Sequence, residues 1–461
     1  MSAQRILFLT PQLPYPPHQG TAIRNWHIIQ HVAASRQVDV LSFAADPPAA
    51  LAGAAPLTAL CGRVEALPAP TRTTARRLAD MARGHADMAR RLYSDAFAER
   101  FAAWLADGYD AVQAEGIEMA PYLLQMAAAA GVRRVYDAHN AEALLQERNF
   151  RTDARHPTRW VASAYSLVQW RRLTALEKEL AGRADRVIAV SDADADALRA
   201  LAPGFDPLVV PNGVDTATYD PAAVAAAPGL PGGVPWLVFT GKLDYRPNIE
   251  ACRWLVEEVM PLVWRAIPDA RVALVGRDPA PAVRALAGER VTLSGWVPDT
   301  RPYIRDATVY VVPLRVGGGT RLKLLEALAM GCAIVSTTQG AEGVAVENAA
   351  LLRDMPQDFA AAVVALIGDA ARRAALGRAA RALAVSRYDW DRDPPAARYR
   401  LCLTSAQRPR PPSACRTAPA ASPSPRRPVS CAALPPATPT PRAADCASSL
   451  SARTTWAMSC S

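Results

Sequence analysis

Short apolar segments alternate with longer stretches of helical periodicity from the start of the chain to about residue 338. In the first part of the chain these segments are RILFLT (5–10), QVDVLSFA (37–44), DAVQAE (110–115), RRVYDA (133–138), DRVIAVS (185–191) and DPLVVPNG (206–213). In the second part they are PWLVFTG (235–241), ARVALVG (270–276), RVTLSGWV (290–297), TVYVVPL (308–314) and CAIVSTT (332–338). Strands that alternate with helices predict parallel sheets with crossover helices. Because the segments are almost continuously apolar, we expect both faces of each sheet to be covered.

The segment Leu201–Pro235 interrupts this alternation and is rich in proline, glycine, aspartate and alanine. We therefore predict an α/β protein with two Rossmann-like, doubly wound domains, residues 1–205 and residues 206–390, that face each other across a cleft. Loops at the carboxyl ends of the strands should line this cleft, which is where open α/β sheets bind ligands.

Residues 391–461 form an irregular tail rich in proline and arginine. Pro394 and Pro395 follow closely after Tyr388–Trp390 and prevent a helix from continuing there. Residues 404–461 contain eleven prolines, seven arginines and one aspartate. We expect this tail to be disordered, either as a natural extension or, the alternative we favour, as the frameshifted end of a GC-rich gene.

The composition is that of a globular protein, with 51% hydrophobic and 21% charged residues among 461 positions. The net charge is +9, but most of the excess lies in the tail, so the charge gives no support for nucleic-acid binding. No apolar run approaches the ~18–20 residues of a membrane span, and the first run is too short for a signal peptide. We therefore expect a cytoplasmic protein.

Residues 72–108 combine arginines with alanine, leucine, methionine and phenylalanine, which is typical of a basic amphipathic surface. Two interpretations remain open for this region. It is either a solvated helix face or a surface that docks on anionic lipid headgroups at the inner face of a membrane.

A glycine-rich loop precedes a helix in the segment PLRVGGGTRLKLLEALAMG (313–331). Glycines let the backbone approach a ligand closely, and the free amides at a helix N-terminus favour an anion. Lys323 and Glu326 lie three residues apart and share a helix face, so the segment predicts a phosphate site with a carboxylate beyond it. The alternative is a glycine-capped helix with a surface Lys–Glu pair.

A second cationic loop, FTGKLDYRPN (239–248), follows the first strand of the second domain. Lys242 and Arg246 in this loop suit a diphosphate, which carries two or more negative charges. Only three of the 52 basic residues are lysine, which is mild evidence that a compact point charge is needed at Lys242 and Lys323. Two exposed basic residues on a turn are the alternative.

These two segments, together with SGWVPD and VVPNGVD, occur in the order and spacing of a known family. The chain resembles the retaining glycosyltransferases of family 4, which have two facing Rossmann-like domains (the GT-B fold), over residues 4–390. Within that family it is similar to sugar transferases of bacterial exopolysaccharide loci.

The resemblance implies a role for each motif. Lys242 and Arg246 would neutralise the diphosphate of a nucleotide sugar, and Glu326 would accept hydrogen bonds from the ribose. Ser294–Asp299 would lie beside the base, and His139 near the donor sugar and the acceptor. Further donor contacts would come from the loop that contains Gly20, from the triple-glycine loop and from the start of the helix after that loop. The residues in the last two are Gly317, Gly318, Gly319, Thr320 and Lys323.

This sequence departs from the family pattern in three places. Gly318 stands where the family commonly has a first glutamate, so recognition of the donor sugar would fall to the backbone amides of Gly317–Gly319. The two cations of the diphosphate loop are four residues apart instead of five, so the partner of Lys242 is either Arg246 or Lys323. The loop before Gly20 has one glycine where two are usual.

The resemblance predicts a metal-independent retaining transferase with no cofactor, whose donor substrate is a nucleoside diphosphate sugar and whose acceptor is a saccharide or a lipid-linked saccharide. His139 would act there as a neutral imidazole that hydrogen-bonds the sugar or the acceptor hydroxyl. His27 and His31 have metal-pair spacing, but no third ligand is patterned near them. A non-catalytic nucleotide-sugar-binding protein and a nucleotide-sugar 2-epimerase are the alternatives.

Overall fold

The computed structural model describes residues 4–126, 131–154, 159–202, 204, 206–317 and 321–391, which belong to one compact unit. Two parallel sheets form its centre, one in each half of the chain. The predicted α/β architecture with two doubly wound sheets is therefore confirmed.

Seven strands make up the first sheet. They are β1 (Arg5–Thr10), β2 (Gln37–Ala44), β3 (Arg63–Pro68), β4 (Ala111–Glu115), β5 (Arg133–Ala138), β6 (Arg186–Ala189) and β7 (Leu208–Val209). Their order is β3-β2-β1-β4-β5-β6-β7, and every pairing is parallel. The helices of this half are α1 (Gly20–Ala33), α2 (Pro47–Ala52), α3 (Ala55–Leu60), α4 (Thr74–Ala82), α5 (Asp87–Arg90), α6 (Asp95–Leu105), α7 (Ala120–Gln125), α8 (Glu142–Asp153), α9 (Trp160–Arg183) and α10 (Asp192–Leu201).

Strand β1 shows why the first sheet is covered on both faces. Leu7 and Leu9 pack into one buried cluster, whereas Ile6 and Phe8 pack into another. Successive side chains of a strand point to opposite faces, so a continuously apolar strand supplies two cores at once. In the sheet, Leu7 lies beside Asp39 of β2 and Val112 of β4.

Six strands make up the second sheet. They are β8 (Trp236–Thr240), β9 (Arg271–Val275), β10 (Val291–Leu293), β11 (Val309–Val312), β12 (Ile334–Ser336) and β13 (Leu351–Leu352). Their order is β10-β9-β8-β11-β12-β13, again with every pairing parallel. The helices are α11 (Arg246–Trp254), α12 (Met260–Ala266), α13 (Pro281–Arg284), α14 (Arg301–Arg305), α15 (Leu322–Ala329), α16 (Pro356–Gly368) and α17 (Ala370–Leu383), with π-helical turns at Leu255–Val259 and Ala384–Tyr388 and a 3₁₀ turn at Gln339–Ala341.

Some elements differ from the sequence pattern. Strand β3 lies at the edge of its sheet and alternates polar with apolar residues, so it lacks the apolar run that marks the central strands. Strand β10 ends at Leu293, and Gly295 follows in a turn with φ +67°. The chain passes from the first sheet to the second between β7 and β8, and because β7 pairs with β6, the first sheet extends past residue 205.

The chain returns to the first half after α17. Trp390 stacks on His27 of α1, with ring centroids 5.1 Å apart, and Asp389 forms a parallel bridge with Val214. The predicted tail lies outside the described residues from residue 392 onward. Among the described helices, none combines the length and the apolar character that crossing a bilayer requires.

Candidate active site

The first turns of α1 and α15 meet between the two halves. A Cβ atom at Gly20 would lie 3.1 Å from Leu322 Cδ1, so glycine permits this close contact. Helix α1 begins beyond the carboxyl end of β1, and α15 begins beyond the carboxyl end of β11. The structure therefore brings Gly20 to the start of the helix that carries Lys323 and Glu326, at the edge where ligands bind in open α/β sheets.

The closest contacts of Lys323 are neutral, while the charges of Arg321 and Glu326 act on it with opposite signs. Its Nζ donates to Asn248 Oδ1 at 3.0 Å and lies 4.0 Å from the centre of the Phe239 ring. Burial lowers the pKa of Lys323 to about 7. A bound anion would favour the charged form of this lysine, so its surroundings suit a phosphate.

Two glycines bring the backbone close to this lysine. At Gly241 (φ +154°) a Cβ atom would lie 2.7 Å from Lys323 Nζ, and at Gly276 (φ +157°) it would lie 1.8 Å from the carbonyl oxygen of Gly241. The loops after β8 and β9 thus pack on each other without side chains between them. A substitution at either position would displace the loop that supports Lys323.

Glu326 faces a cavity of about 230 Å³ between the two halves. Tyr219 donates its hydroxyl to Glu326 Oε1 at 3.1 Å, and burial raises the pKa of Glu326. The other lining residues come from α1 and the loop before it, from α15 and from the segment after β7: Pro17, Ile23, Trp26, His27, Gly213, Val214, Asp215, Thr218 and Leu322.

The segment Ser294–Asp299 lies near the same cavity. Arg301 pairs with Asp299 at 2.8 Å and donates to the backbone oxygen of Thr218 at 2.9 Å. Trp296 in this segment is 71% exposed. The structure therefore places Glu326 and the predicted base-binding segment on one side of the candidate site.

Lys242 and Arg246 both have acidic partners. Lys242 Nζ lies 3.0 Å from Asp244 and is half-exposed. Arg246 Nη2 and Nη1 donate to the two carboxylate oxygens of Asp153 on α8, at 2.6 and 3.1 Å, and its Nε donates to Glu250. In this conformation Arg246 joins the two halves of the chain, so the structure does not group it with Lys323 as a second phosphate cation.

Arg321, directly before α15, is a second cation near Lys323 that the sequence motifs did not single out. Its side chain is mostly buried, and Nη2 lies 3.9 Å from Glu342, which also accepts from Arg148 of α8 at 2.5 Å. Gln339 donates to the backbone oxygen of Gly317 at 3.0 Å. Gly317 thus lies beside this network, while Gly318, Gly319 and Thr320 fall outside the described residues.

His139 follows β5 and belongs to a buried charge cluster in the first half. Its Nε2 lies 2.9 Å from Glu115 Oε2, and Asp137 receives three hydrogen bonds from Arg24 at 3.0–3.1 Å. Burial alone would lower the pKa of His139, but Glu115 and Asp137 raise it. The pKa of His139 is raised overall, and burial also raises the pKa of its partner Glu115.

The carboxyl groups of this cluster lie close enough for a cation, since ligand atoms of Glu115, Asp137 and His139 are all within 4.8 Å of one another. Arg24, however, already contributes positive charge to both oxygens of Asp137. His27 and His31, the pair with metal-ligand spacing, have a packing role. His27 stacks on Trp390, and His31 Nδ1 lies 2.7 Å from the backbone oxygen of His27.

Two further carboxyl groups lie at the start of α8 and were missed in the sequence. Glu177 accepts from the backbone amides of Glu142 and Ala143 at 2.7 and 3.3 Å, and Asn140 donates to Glu142 at 3.0 Å. Burial raises the pKa of both glutamates, to about 7 for Glu142 and about 8 for Glu177. The position of Glu142, three residues after His139, was the available signal.

Two family models match this chain. One is described as "Glycosyltransferase Family 4" and matches residues 18–218, and the other as "Glycosyl transferases group 1" and matches residues 234–369. Together they take in most of the chain, and each corresponds to one of the two sheets.

Relatives and solved structures agree with these matches. The chain is 32% identical over 199 residues to the lipopolysaccharide core biosynthesis mannosyltransferase LpcC of Rhizobium leguminosarum bv. viciae, covering 41% of this chain and 54% of that protein. It is 31% identical over 197 residues to a phosphatidyl-myo-inositol mannosyltransferase of Mycolicibacterium smegmatis, covering 41% and 49%. The chain thus spans about half the length of the curated relatives it matches.

A solved structure shares the fold over nearly its whole length. The Anabaena protein Alr3699/HepE, crystallised with UDP and glucose, aligns with a TM-score of 0.56 at 17% sequence identity, over 84% of this chain and 96% of that one. With the two family models and the two parallel sheets, this establishes that the chain belongs to the family 4 glycosyltransferases of the GT-B fold.

Proposed function

We propose that this protein is a retaining glycosyltransferase that moves a hexose from a nucleoside diphosphate sugar to a hydroxyl group of a saccharide or lipid-linked saccharide. The observation that carries the proposal is the environment of Lys323. A mostly buried lysine, whose closest contacts are an amide and an aromatic ring, lies at the ligand-binding edge of a sheet, opposite Gly20 and next to the cavity that Glu326 lines.

In this proposal the second half of the chain binds the donor. Lys323 and Arg321 meet the charge that develops on the departing diphosphate, with Lys242 at the mouth of the loop. Glu326 and Tyr219 bind the ribose, and Ser294–Asp299 lies along the base. Preorganised positive charge in a site that excludes water stabilises such a leaving group strongly, which is why we propose a metal-independent reaction.

The first half binds the acceptor. His139, in contact with Glu115, lies at the carboxyl end of β5, where it donates a hydrogen bond to the donor sugar or to the diphosphate. In a retaining reaction the acceptor hydroxyl approaches on the side of the leaving group, so a phosphate oxygen takes its proton. Arg246 then contributes by holding Asp153 and the two halves together, rather than by direct contact with the diphosphate.

The nature of the acceptor is proposed from the relatives. The two curated relatives are named for the lipopolysaccharide core and for phosphatidyl-myo-inositol, and the Anabaena structure contains UDP and glucose. A lipid-linked or growing surface saccharide fits these names, and a role in exopolysaccharide biosynthesis at the inner face of a membrane follows the motif resemblance.

A panel of nucleotide sugars tests the donor assignment. A ligand at 100 times its Kd raises the free energy of unfolding by about 2.7 kcal/mol, so the correct donor should raise the melting temperature while others do not. The correct donor should also release nucleoside diphosphate slowly without acceptor. Binding without any release would instead indicate a non-catalytic nucleotide-sugar-binding protein.

A nucleotide-sugar 2-epimerase remains the second candidate because of one observation. His139, Glu115 and Glu142 gather titratable groups near the end of β5, and an epimerase needs acid and base groups at its substrate. Analysis of the recovered nucleotide sugar separates the two functions, since only an epimerase returns an altered sugar still joined to its nucleotide.

A further inference from the structure

The first three turns of α9 expose an apolar surface. Residues 160–170 contain no charged side chain, yet Trp160 is 72% exposed, Val161 62% and Val168 39%. Val161 and Val168 are seven residues apart, so they lie on one face of the helix. An exposed helix face normally carries charged groups, and an uncharged one with a tryptophan points to a partner.

Helix α4 lies beside this part of α9. Arg77 of α4 donates to the Tyr165 hydroxyl at 3.1 Å, and Arg172 of α9 donates to the backbone oxygen of Met81 at 2.7 Å. The next residue after Arg77, Leu78, is 58% exposed. We call Leu78, Trp160, Val161 and Val168 the apolar patch.

The arginines of residues 72–108 divide into two groups. Five pair with acidic residues and so contribute to the fold: Arg72, Arg77, Arg90, Arg91 and Arg100. Arg76 and Arg83 are exposed on α4 or at its end, and neither makes an ion pair within the part of the chain that the structure describes. Arg171, one turn beyond Val168, is also exposed.

We propose that the apolar patch, with Arg76, Arg83 and Arg171 around it, docks on the surface of a membrane that contains anionic lipids. Tryptophan and aliphatic side chains insert at the level of the headgroups, while arginines are attracted to the negative surface. The cationic tail of this chain would be repelled by the same arginines, so the charge favours a lipid surface as the occupant.

The apolar patch lies next to the cleft between the two halves. Arg159, directly before Trp160, lies 3.3 Å from Asp153 and 3.7 Å from Glu250 of the second half. The patch therefore begins at the rim of the cleft between the two halves. Its use in delivering a lipid-linked acceptor rests on the proposed function, whereas binding to the membrane does not.

Sedimentation with vesicles tests the proposal directly. The full chain should bind vesicles of 30% phosphatidylglycerol in phosphatidylcholine and bind pure phosphatidylcholine at least tenfold more weakly, with a loss of binding in high salt. Trp160→Glu with Val161→Glu should weaken binding at least tenfold. Met355→Glu is the matched control, since Met355 is an exposed apolar residue of the second half.

A second pair of variants tests the charges. Each arginine near a membrane surface contributes about 1 kcal/mol, so Arg76→Gln with Arg83→Gln should weaken binding about tenfold or more. Arg372→Gln with Arg378→Gln removes the same charge from exposed positions of α17 and should change nothing. Equal losses in both pairs would show non-specific attraction and overturn the docking surface.

A spectroscopic measurement identifies the residue that inserts. Fluorescence of the full chain should shift to the blue on vesicle binding, and Trp160→Phe should bind with the shift largely removed. Thermal stabilisation by a nucleotide sugar is measured on every variant. It shows whether the donor site is intact, independently of vesicle binding. If the patch variants bind vesicles normally but abolish a dimer in sedimentation velocity, the surface is an interface between copies of the chain and the proposal is wrong.

Discussion

The two halves of the chain use buried charge in opposite ways. In the first half, Arg24 and Asp137 neutralise each other through three hydrogen bonds, and His139 lies against Glu115. In the second half, Lys323 has a neutral amide and an aromatic ring for neighbours. The first arrangement pairs its charges directly, whereas Lys323 makes no ion pair with the described residues and interacts with the Glu326 carboxylate only at longer range.

This difference separates a structural role from a binding role. Charges that cancel within a half hold its elements in place, as Arg24 does by also donating to the Val210 backbone at 3.0 Å and to Asn212 at 2.9 Å. A buried lysine without an anion lowers stability and gains from an anionic ligand. Removing a paired charge from the first half should therefore lower stability more than binding, and removing the lysine from the second half should lower binding more than stability.

The largest loss of stability is expected for Asp137→Asn. The substitution leaves the guanidinium of Arg24 buried without its counter-charge, which costs about 3–5 kcal/mol. Urea unfolding monitored by circular dichroism measures the change. Asp196→Asn, which breaks an exposed pair with Arg199, should cost at most about 1 kcal/mol. Equal losses for the two variants would contradict the role assigned to the buried pair.

Lys323→Met should reverse this pattern. Its free energy of unfolding should stay within about 1 kcal/mol of the parent, because a buried charge is replaced by an apolar chain of similar length. Its kcat/KM for the donor should fall about 10²–10³-fold, the loss seen when one preorganised donor is removed from a developing charge. Lys242→Ala removes a half-exposed lysine paired with Asp244 and should cost less than tenfold. A larger loss at Lys242 would indicate that the loop after β8, and not Lys323, provides the main diphosphate contact.

Glu326→Gln should have a smaller and different effect. Ribose lies away from the breaking bond, so its contacts change little between the ground state and the transition state. The donor KM should therefore rise while kcat changes less, with a cost of about 1.5–3 kcal/mol, the contribution of a hydrogen bond to a charged group. Tyr219→Phe, which removes the hydroxyl that donates to Glu326, should act in the same direction. Loss of kcat with unchanged donor affinity would contradict the ribose assignment.

The sequence predicted the elements whose physical cause is local. Apolar runs such as RILFLT and PWLVFTG are central strands, and the glycine-rich loop does precede a helix that carries Lys323 and Glu326. The edge strand β3 was missed because most of its residues are only partly buried and polar Arg63 and Glu65 alternate with apolar residues, so its sequence lacks a continuous apolar run.

The partners of charged side chains could not be predicted in the same way. Asp153 and Arg246 are 93 residues apart, and nothing in either segment indicates that they pair. Likewise, the nearness of Glu342 to Arg148 of α8 depends on how the two sheets are placed. The sequence motif therefore located the cationic loops, while only the structure showed that Arg246 pairs directly with acids and that Lys323, among the described residues, does not.

Proton uptake on donor binding is the smallest effect and tests the contrast between the halves most directly. With a pKa of about 7, Lys323 is about half protonated at pH 7, and a bound diphosphate raises this pKa because it favours the charged form. Binding should therefore take up to about 0.5 proton at pH 7 and almost none at pH 5.5, where the lysine is already charged. Calorimetry in buffers of different ionisation enthalpy measures the uptake. A nucleotide sugar is the proper ligand, because its diphosphate lacks the terminal ionisation of a free nucleotide near neutral pH.

Lys323→Met should abolish the uptake, whereas Lys242→Ala should retain it. Uptake that persists in Lys323→Met would show that another group titrates, and His139 would be the first to examine. The contrast between paired charges in the first half and an unpaired lysine in the second would then no longer explain donor binding.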